Sequence, residues 1–209
     1  LPVANPVPIS ELVSEPEPKT AEAWELRGYE ALAQRRYAAA IADFEQAIAQ
    51  GTAAIKVNSP DRPVDRPVDH QADRPSVHLL VLASSYKGLA QIYLTLGQLE
   101  TAQAHLTQGW QYLAPALQVS LPDDPRDLAP ERTPDLAIQP FVGQSLADQL
   151  PPHLLIAQFW NLQAKLQAEQ GQLEAAIATW EMARSVYAAL NDAIGQLGTQ
   201  LDQVMAYQQ

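Results

Sequence analysis

Two nearly identical stretches decide the fold of this 209-residue chain, GQLETA at residues 97–102 and GQLEAA at residues 171–176. Apolar residues recur every three or four positions before and after both stretches, which is the spacing of one helix face. The glycine supplies the left-handed residue that ends a helix, and the alanines at 102 and 176 let a second helix approach closely. Each stretch therefore predicts a tight turn between two antiparallel helices.

A third hairpin is predicted nearer the start of the chain. Ala40, Phe44 and Ala47 repeat the small–large–small spacing that follows the other two turns, but Arg35 stands where those turns have glycine. A last apolar stripe, at positions 194, 197, 201 and 204, predicts a seventh helix, for which Asn191 is a candidate cap. The pattern thus favours an all-α protein of three helical hairpins and one further helix.

The 17 prolines fall into three clusters, at 2–18, 60–75 and 115–152. Because a proline in a helix interior costs about 3 kcal/mol, we interpret these clusters as the segments outside the helices. They comprise a flexible segment at 1–19 and insertions at about 53–76 and 115–151. The chain begins without Met and opens with a stretch like those that follow a signal peptide or an anchor. We therefore favour an exported or membrane-tethered bacterial protein, with a removed N-terminal anchor, over a cytoplasmic one.

The hairpins resemble the tetratricopeptide-repeat family, whose unit combines an aromatic residue, small residues and a later bulky residue at fixed spacing. The residues that carry the resemblance are Trp24, Gly28, Ala40, Phe44 and Ala47, then Leu89, Ala90, Tyr93, Gly97, Ala102 and Leu106, then Trp160, Ala164, Gly171, Ala176, Trp180 and Ala183. The resemblance implies a right-handed helical-repeat scaffold over residues 20–209. Its repeats would lie at about 21–52, 83–114 and 157–190, with a C-terminal capping helix at about 192–207.

The resemblance also implies a function, which is to hold a partner segment in a concave groove lined by the first helix of each repeat. The groove positions carried over to this chain are Glu22, Glu25, Tyr29, Leu32 and Ala33, then Ser84, Lys87, Gln91, Leu94 and Thr95, then Gln158, Asn161, Lys165, Ala168 and Glu169. From these we predict a binding site of six residues, Tyr29, Lys87, Gln91, Leu94, Asn161 and Lys165. Two of the four lysines in the chain are among them, and we expect these two to receive an acidic side chain or a chain terminus. Chaperone-binding members of the family instead hold a terminal carboxylate with Lys and Asn where Glu25 and Tyr29 stand here, so their clamp is not expected.

Composition narrows the classes of partner. The formal charge of −11 argues against nucleic acid and against an anionic membrane surface, since both require clustered Lys and Arg. No apolar run reaches the roughly 18 residues of a membrane span. The chain has no cysteine, its four histidines lack metal-ligand spacing, and no nucleophile or phosphate-binding motif occurs. We therefore predict no catalytic residue, no cofactor and no metal site, and we expect a non-enzymatic protein.

Two other readings remain open at the level of sequence. The chain could bind a small ligand, with the two insertions folded over the groove as a lid, or it could be a self-assembling structural subunit. Our preferred reading is a scaffold or adaptor that binds a protein or peptide during assembly of a larger or membrane-associated complex. The sequence identifies neither the partner nor the oligomeric state.

Overall fold

A computed structural model describes residues 18–57, 75–116 and 152–208, and these three ranges contain seven helices and no strand. The helices are α1 Ala21–Ala33, α2 Tyr37–Val57, α3 Pro75–Thr95, α4 Leu99–Ala116, α5 Pro152–Glu169, α6 Leu173–Ala189 and α7 Ala193–Ala206. The predicted all-α class and the helical-repeat architecture are confirmed.

The helices form three antiparallel pairs that stack one on the next. Within the pairs, α1 packs on α2, α3 on α4 and α5 on α6, while α2 also contacts α3, α4 contacts α5 and α6 contacts α7. The first helices also lie beside one another, because α1 contacts α3, α3 contacts α5 and α5 contacts α7. The repeats therefore stack directly, despite the long stretches of sequence between them.

The same turn ends four of the helices. Arg35, Gly97, Gly171 and Asn191 all adopt a left-handed backbone, with φ between 55° and 76°. In each case the amide of the following residue donates to the carbonyl five residues earlier, for example Gln98 N to Tyr93 O at 2.8 Å. This is the pattern of a Schellman motif, which satisfies carbonyls that the helix end leaves without partners.

Aromatic rings pack against glycines wherever one repeat meets the next. A Cβ at Gly88 of α3 would lie 2.5 Å from the Phe44 ring of α2, and one at Gly109 of α4 would lie 2.5 Å from the Phe159 ring of α5. Tyr187 of α6 covers Gly195 of α7 in the same way. Since no side chain fits at these positions, the glycines set how closely neighbouring repeats approach.

Several boundaries differ from the sequence prediction. Helix α2 runs to Val57, five residues into the segment assigned to the first insertion, because 53–57 contains no proline and continues the helical pattern. Helix α4 includes Pro115 in its last turn, where few further backbone bonds are lost, and Pro75 and Pro152 begin their helices, where proline is tolerated. Proline thus marks helix ends here and not only the segments between helices.

The expected cap of α7 is also wrong. Asn191 provides the left-handed turn after α6, and the cap is Asp192, whose Oδ1 accepts a hydrogen bond from Gly195 N at 2.9 Å. Asparagine tolerates this backbone conformation, which explains why it replaces glycine there. The expectations for residues 1–17, for most of both insertions and for the removed anchor lie outside the described residues.

Candidate partner-binding face

The surface built by the first helices, α1, α3, α5 and α7, is here called the groove face. The positions that the sequence assigns to a groove are all on α1, α3 and α5, and several of their side chains contact a neighbouring helix. Each neighbouring pair of helices is joined by at least one polar contact. The face is therefore continuous across all three repeats and α7.

Between α1 and α3 the contact centres on Tyr29 and Ser84. The Tyr29 hydroxyl donates to the Ser84 carbonyl at 2.8 Å and lies 2.9 Å from Ser84 Oγ. The Tyr29 ring packs edge-on against Phe44, with 4.9 Å between ring centroids. Burial raises the pKa of the Tyr29 phenol, which therefore stays protonated and keeps donating.

Glu25 lies one turn before Tyr29 on α1 and is buried. Burial raises the pKa of its carboxyl from 4.5 to about 7, while a hydrogen bond with Ser84 and the charge of Lys87 oppose the rise. Burial likewise lowers the pKa of Lys87 from 10.5 to about 8, and the charge of Glu25 opposes that fall. The two groups stabilise each other's charged form across the α1–α3 interface.

Lys87 also joins α3 to α5. Its Nζ donates to Gln158 Oε1 at 2.5 Å and lies 5.2 Å from the centre of the Tyr29 ring. A cation at that distance from an aromatic face is attracted to it. Lys87 is thus only partly exposed and holds α1, α3 and α5 together.

Helix α5 presents Asn161 and Lys165, one turn apart. Asn161 Oδ1 accepts a hydrogen bond from Trp180 Nε1 at 3.0 Å. This bond fixes the orientation of the amide and therefore of its NH₂ group. Lys165 Nζ lies 2.9 Å from Asp202 Oδ2 of α7, and the Lys165 side chain remains 39% exposed. Of the two predicted groove lysines, Lys165 is therefore the one that an incoming group can reach more easily.

The remaining predicted site residues, Gln91 and Leu94, differ in exposure. Gln91 is exposed, and its carbonyl accepts a hydrogen bond from Thr95. Leu94 is partly buried and packs against the apolar core between the second and third repeats. Leu94 thus contributes mainly to the core, whereas Gln91 offers a free side chain on the groove face.

Two residues of this face were missed at the level of sequence. Asp202 pairs with Lys165, and His78 lies 3.8 Å from Glu22 across α1 and α3. If α7 is counted like the first helix of a repeat, with Asn191 as position 1, Asp202 falls at position 12. That position is one of the groove positions. The repeat spacing within α7 therefore identifies Asp202 as a groove residue, although the apolar stripe of this helix by itself indicates only a capping helix.

The face carries amides, hydroxyls and paired charges. In the three described ranges, no three His, Cys, Asp or Glu side chains gather as metal ligands would. No helix of those ranges has both the length and the apolar character needed to cross a membrane.

Comparison with known proteins gives one family. Residues 21–49, which form α1 and most of α2, match the family model described as a tetratricopeptide repeat. No curated protein and no solved structure matches the chain significantly. The match covers the first hairpin, and the other two hairpins repeat its turn and its packing.

Proposed function

We propose that this chain, whose residues 21–49 match a tetratricopeptide repeat and whose described helices form an all-α repeat fold, is a non-catalytic adaptor. Tetratricopeptide repeats generally serve protein–protein interaction. The chain binds a segment of a partner protein along the groove face. This role fits assembly of a larger or membrane-associated complex. The partner, on this proposal, is a polypeptide and not a nucleic acid.

The observation that carries the proposal is the set of cross-helix contacts on the groove face. Tyr29–Ser84, Lys87–Gln158 and Lys165–Asp202 fix the spacing of four neighbouring helices before any partner arrives. A surface that is already rigid loses less conformational entropy on binding, which favours affinity. The contact with Lys87 also holds the amide of Gln158 in a defined orientation, and the hydrogen bond from Trp180 does the same for Asn161.

The side chains of this face suit an extended backbone with an acidic group. The amides of Gln91 and Asn161 can donate to and accept from peptide groups. Lys165 can share its ammonium between Asp202 and a partner carboxylate, since an ammonium has three donors. Lys87 is already engaged on three sides, so it shapes the site, and we assign the acidic group to Lys165.

The test uses the partner captured from the native source and then purified. Replacing Lys165 with Ser should weaken binding about three- to tenfold and flatten its salt dependence, because one charge contact is removed. The matched control is Lys56→Ser, which changes an exposed lysine at the end of α2. Binding titrations of both variants over a salt series measure the affinity and its salt dependence.

An equal loss of affinity in both variants would mean only that net charge matters. An unchanged affinity and salt slope for Lys165→Ser would remove Lys165 from the site. Melting curves of both variants should match the wild type within a few degrees, which separates a binding effect from unfolding.

A further inference from the structure

Helix α7 has an apolar stripe that the described chain leaves uncovered. Four residues of the stripe are highly exposed, Ile194 at 86%, Leu197 at 67%, Leu201 at 58% and Val204 at 53%. Met205 and Tyr207, at the end of α7, are also exposed. A capping helix would turn a polar side outward, and α7, the last helix of the described stack, turns an apolar side outward instead.

The other side of α7 is well fixed, so the stripe is not an effect of loose packing. Tyr187 of α6 packs on Gly195, Thr199 is buried, and Asp202 pairs with Lys165 of α5. The Thr199 hydroxyl also donates to the Gly195 carbonyl at 2.9 Å. The stripe therefore faces away from the protein in a defined orientation.

The packing of the three hairpins shows what such a stripe normally contacts. In each repeat, counted from residues 21, 83 and 157, the eighth position is a small residue of the first helix, which packs with a bulky residue of the second helix. The pairs are Gly28 with Phe44, Ala90 with Leu106, and Ala164 with Trp180. Gly198 holds the same position when α7 is counted from Asn191, and no atom of the described residues lies within 4 Å of the place where its Cβ would be. Among the described helices, none covers this surface of α7 as a second helix covers the first in each hairpin.

We propose that a second copy of this chain covers the stripe, through an antiparallel pairing of α7 with α7. The four stripe residues are spaced by three, four and three positions, so the spacing is the same in both directions. An antiparallel copy therefore places Ile194 against Val204 of the partner subunit and Leu197 against Leu201 of the partner subunit. Gly198, beside the centre, leaves room for a partner leucine. Spacings of three and four also match the seam of a coiled coil.

Charge favours a second copy over an unrelated partner. A twofold interface brings equivalent surfaces of the two copies together, so charged residues beside the seam would meet like charges. The only charged residue within α7 is Asp202, and Lys165 neutralises it at 2.9 Å. The seam is flanked by glutamines at 196, 200 and 203. In a chain of net charge −11, α7 is thus a surface where two copies meet without charge repulsion.

The pairing is expected to be weak. A helix of 14 residues is about 21 Å long, and one such pair buries less than the roughly 800 Å² per subunit of a standard interface. Sedimentation of the full chain should show a monomer–dimer equilibrium with a midpoint at about 10–100 µM. Leu197→Glu should shift that midpoint at least tenfold towards monomer, because it places a charge in the seam. A chain that stays monomeric up to several hundred micromolar would overturn the proposal.

The matched control is Leu26→Glu, which changes a leucine of α1 that is also exposed, at 43%. It should leave the dimer midpoint unchanged. Both leucines are exposed in the single chain, so both variants should fold, and circular dichroism checks this directly. Equal weakening by the two variants would overturn the assignment to α7.

Orientation can be tested with single cysteines, since the chain has none of its own. Gly198→Cys lies near the twofold axis and should form a disulfide-linked dimer with itself. Ile194→Cys should not, because the two copies of residue 194 lie about 15 Å apart along the helices, beyond disulfide reach. Mixing Ile194→Cys with Val204→Cys should give the linked dimer. A chain in which Ile194→Cys links to itself, and the mixture does not link, would contradict the antiparallel pairing.

Discussion

At the scale of single residues, Arg35 occupies a backbone conformation that normally belongs to glycine. Its φ of 57° lies close to the 71° of Gly97 and the 76° of Gly171, and the same hydrogen bonds follow it. A left-handed conformation costs a residue with a Cβ about 1–2 kcal/mol. The first hairpin therefore folds with a local strain that the other two avoid.

Replacing Arg35 with Gly should stabilise the protein by about 0.5–1 kcal/mol, because the relief of strain exceeds the added freedom of the unfolded chain. The opposite change, Gly97→Ala, should destabilise it by about 1 kcal/mol, since nothing crowds that position and only the backbone responds. Urea unfolding of both variants measures these shifts. Destabilisation by Arg35→Gly would mean that the exposed Arg35 side chain stabilises the fold by more than its backbone strain costs.

Glu25 predicts a dependence of stability on pH. Because burial raises its pKa to about 7 in the folded chain, between pH 4.5 and 7 the unfolded chain releases this proton while the folded chain keeps it. Stability then falls as the pH rises through that window and levels off above it. Glutamine does not titrate, so Glu25→Gln should gain stability relative to the wild type over the window, by at most about 3 kcal/mol. The loss of charge beside Lys87 offsets part of this gain.

Unfolding free energies at pH 4.5, 6 and 7.5 test this prediction. The control is Glu181→Gln, which makes the same change at an exposed position of α6. Its stability should follow the wild type at all three pH values. If the Glu25→Gln curve stayed parallel to the wild type, the Glu25 carboxyl would have the same pKa in the folded and unfolded chains, which would contradict the raised pKa.

At the scale of helices, two glycines offer a matched comparison. Gly109→Ala places a Cβ 2.5 Å from the buried Phe159 ring, so it should destabilise the protein by about 1–3 kcal/mol. Gly198→Ala meets no atom within 4 Å, and it should stabilise α7 by up to about 1 kcal/mol because alanine favours helix. Thermal melts at low micromolar concentration, below the expected dimer range, compare the two. Similar shifts of the two melting temperatures, with the same sign, would show that the contact between α4 and α5 has room for a Cβ at position 109.

Most helices could be predicted from the sequence because their signals are local. The turns at Gly97 and Gly171, and the spacing from Ala40 to Ala47, depend only on neighbouring residues. The helix ends were less certain, since proline is compatible with a first or last turn and Pro115 therefore gave no clear stop.

The groove positions could be placed by analogy, but the contacts between them could not. That Lys87 meets Gln158 depends on how α3 packs against α5, and the two residues are far apart in the chain. Likewise, the exposed stripe of α7 has the same spacing as a buried one, so the sequence alone could not tell that it lacks a covering helix. Burial of charges such as Glu25 also follows from packing and not from residue type.

At the scale of the whole molecule, two surfaces differ in chemistry. The groove face is lined by paired polar groups, whereas the α7 stripe is apolar and uncharged. Because the stripe lies on the side of α7 away from its contacts with α5 and α6, the proposed pairing of two copies would leave the groove positions of α1, α3 and α5 available in both. A paired molecule would then present two binding sites and hold a divalent partner more tightly by raising its effective concentration.

Binding of a partner segment along the groove face can be tested by site-specific photo-crosslinking in the native source. A photoreactive residue replaces Gln91, which is exposed on α3, or Gln108, which is exposed on α4. We expect a crosslinked partner protein with the probe at 91 and none, or a far weaker one, with the probe at 108. Crosslinking from position 108 without crosslinking from position 91 would show that the partner does not bind along the groove face.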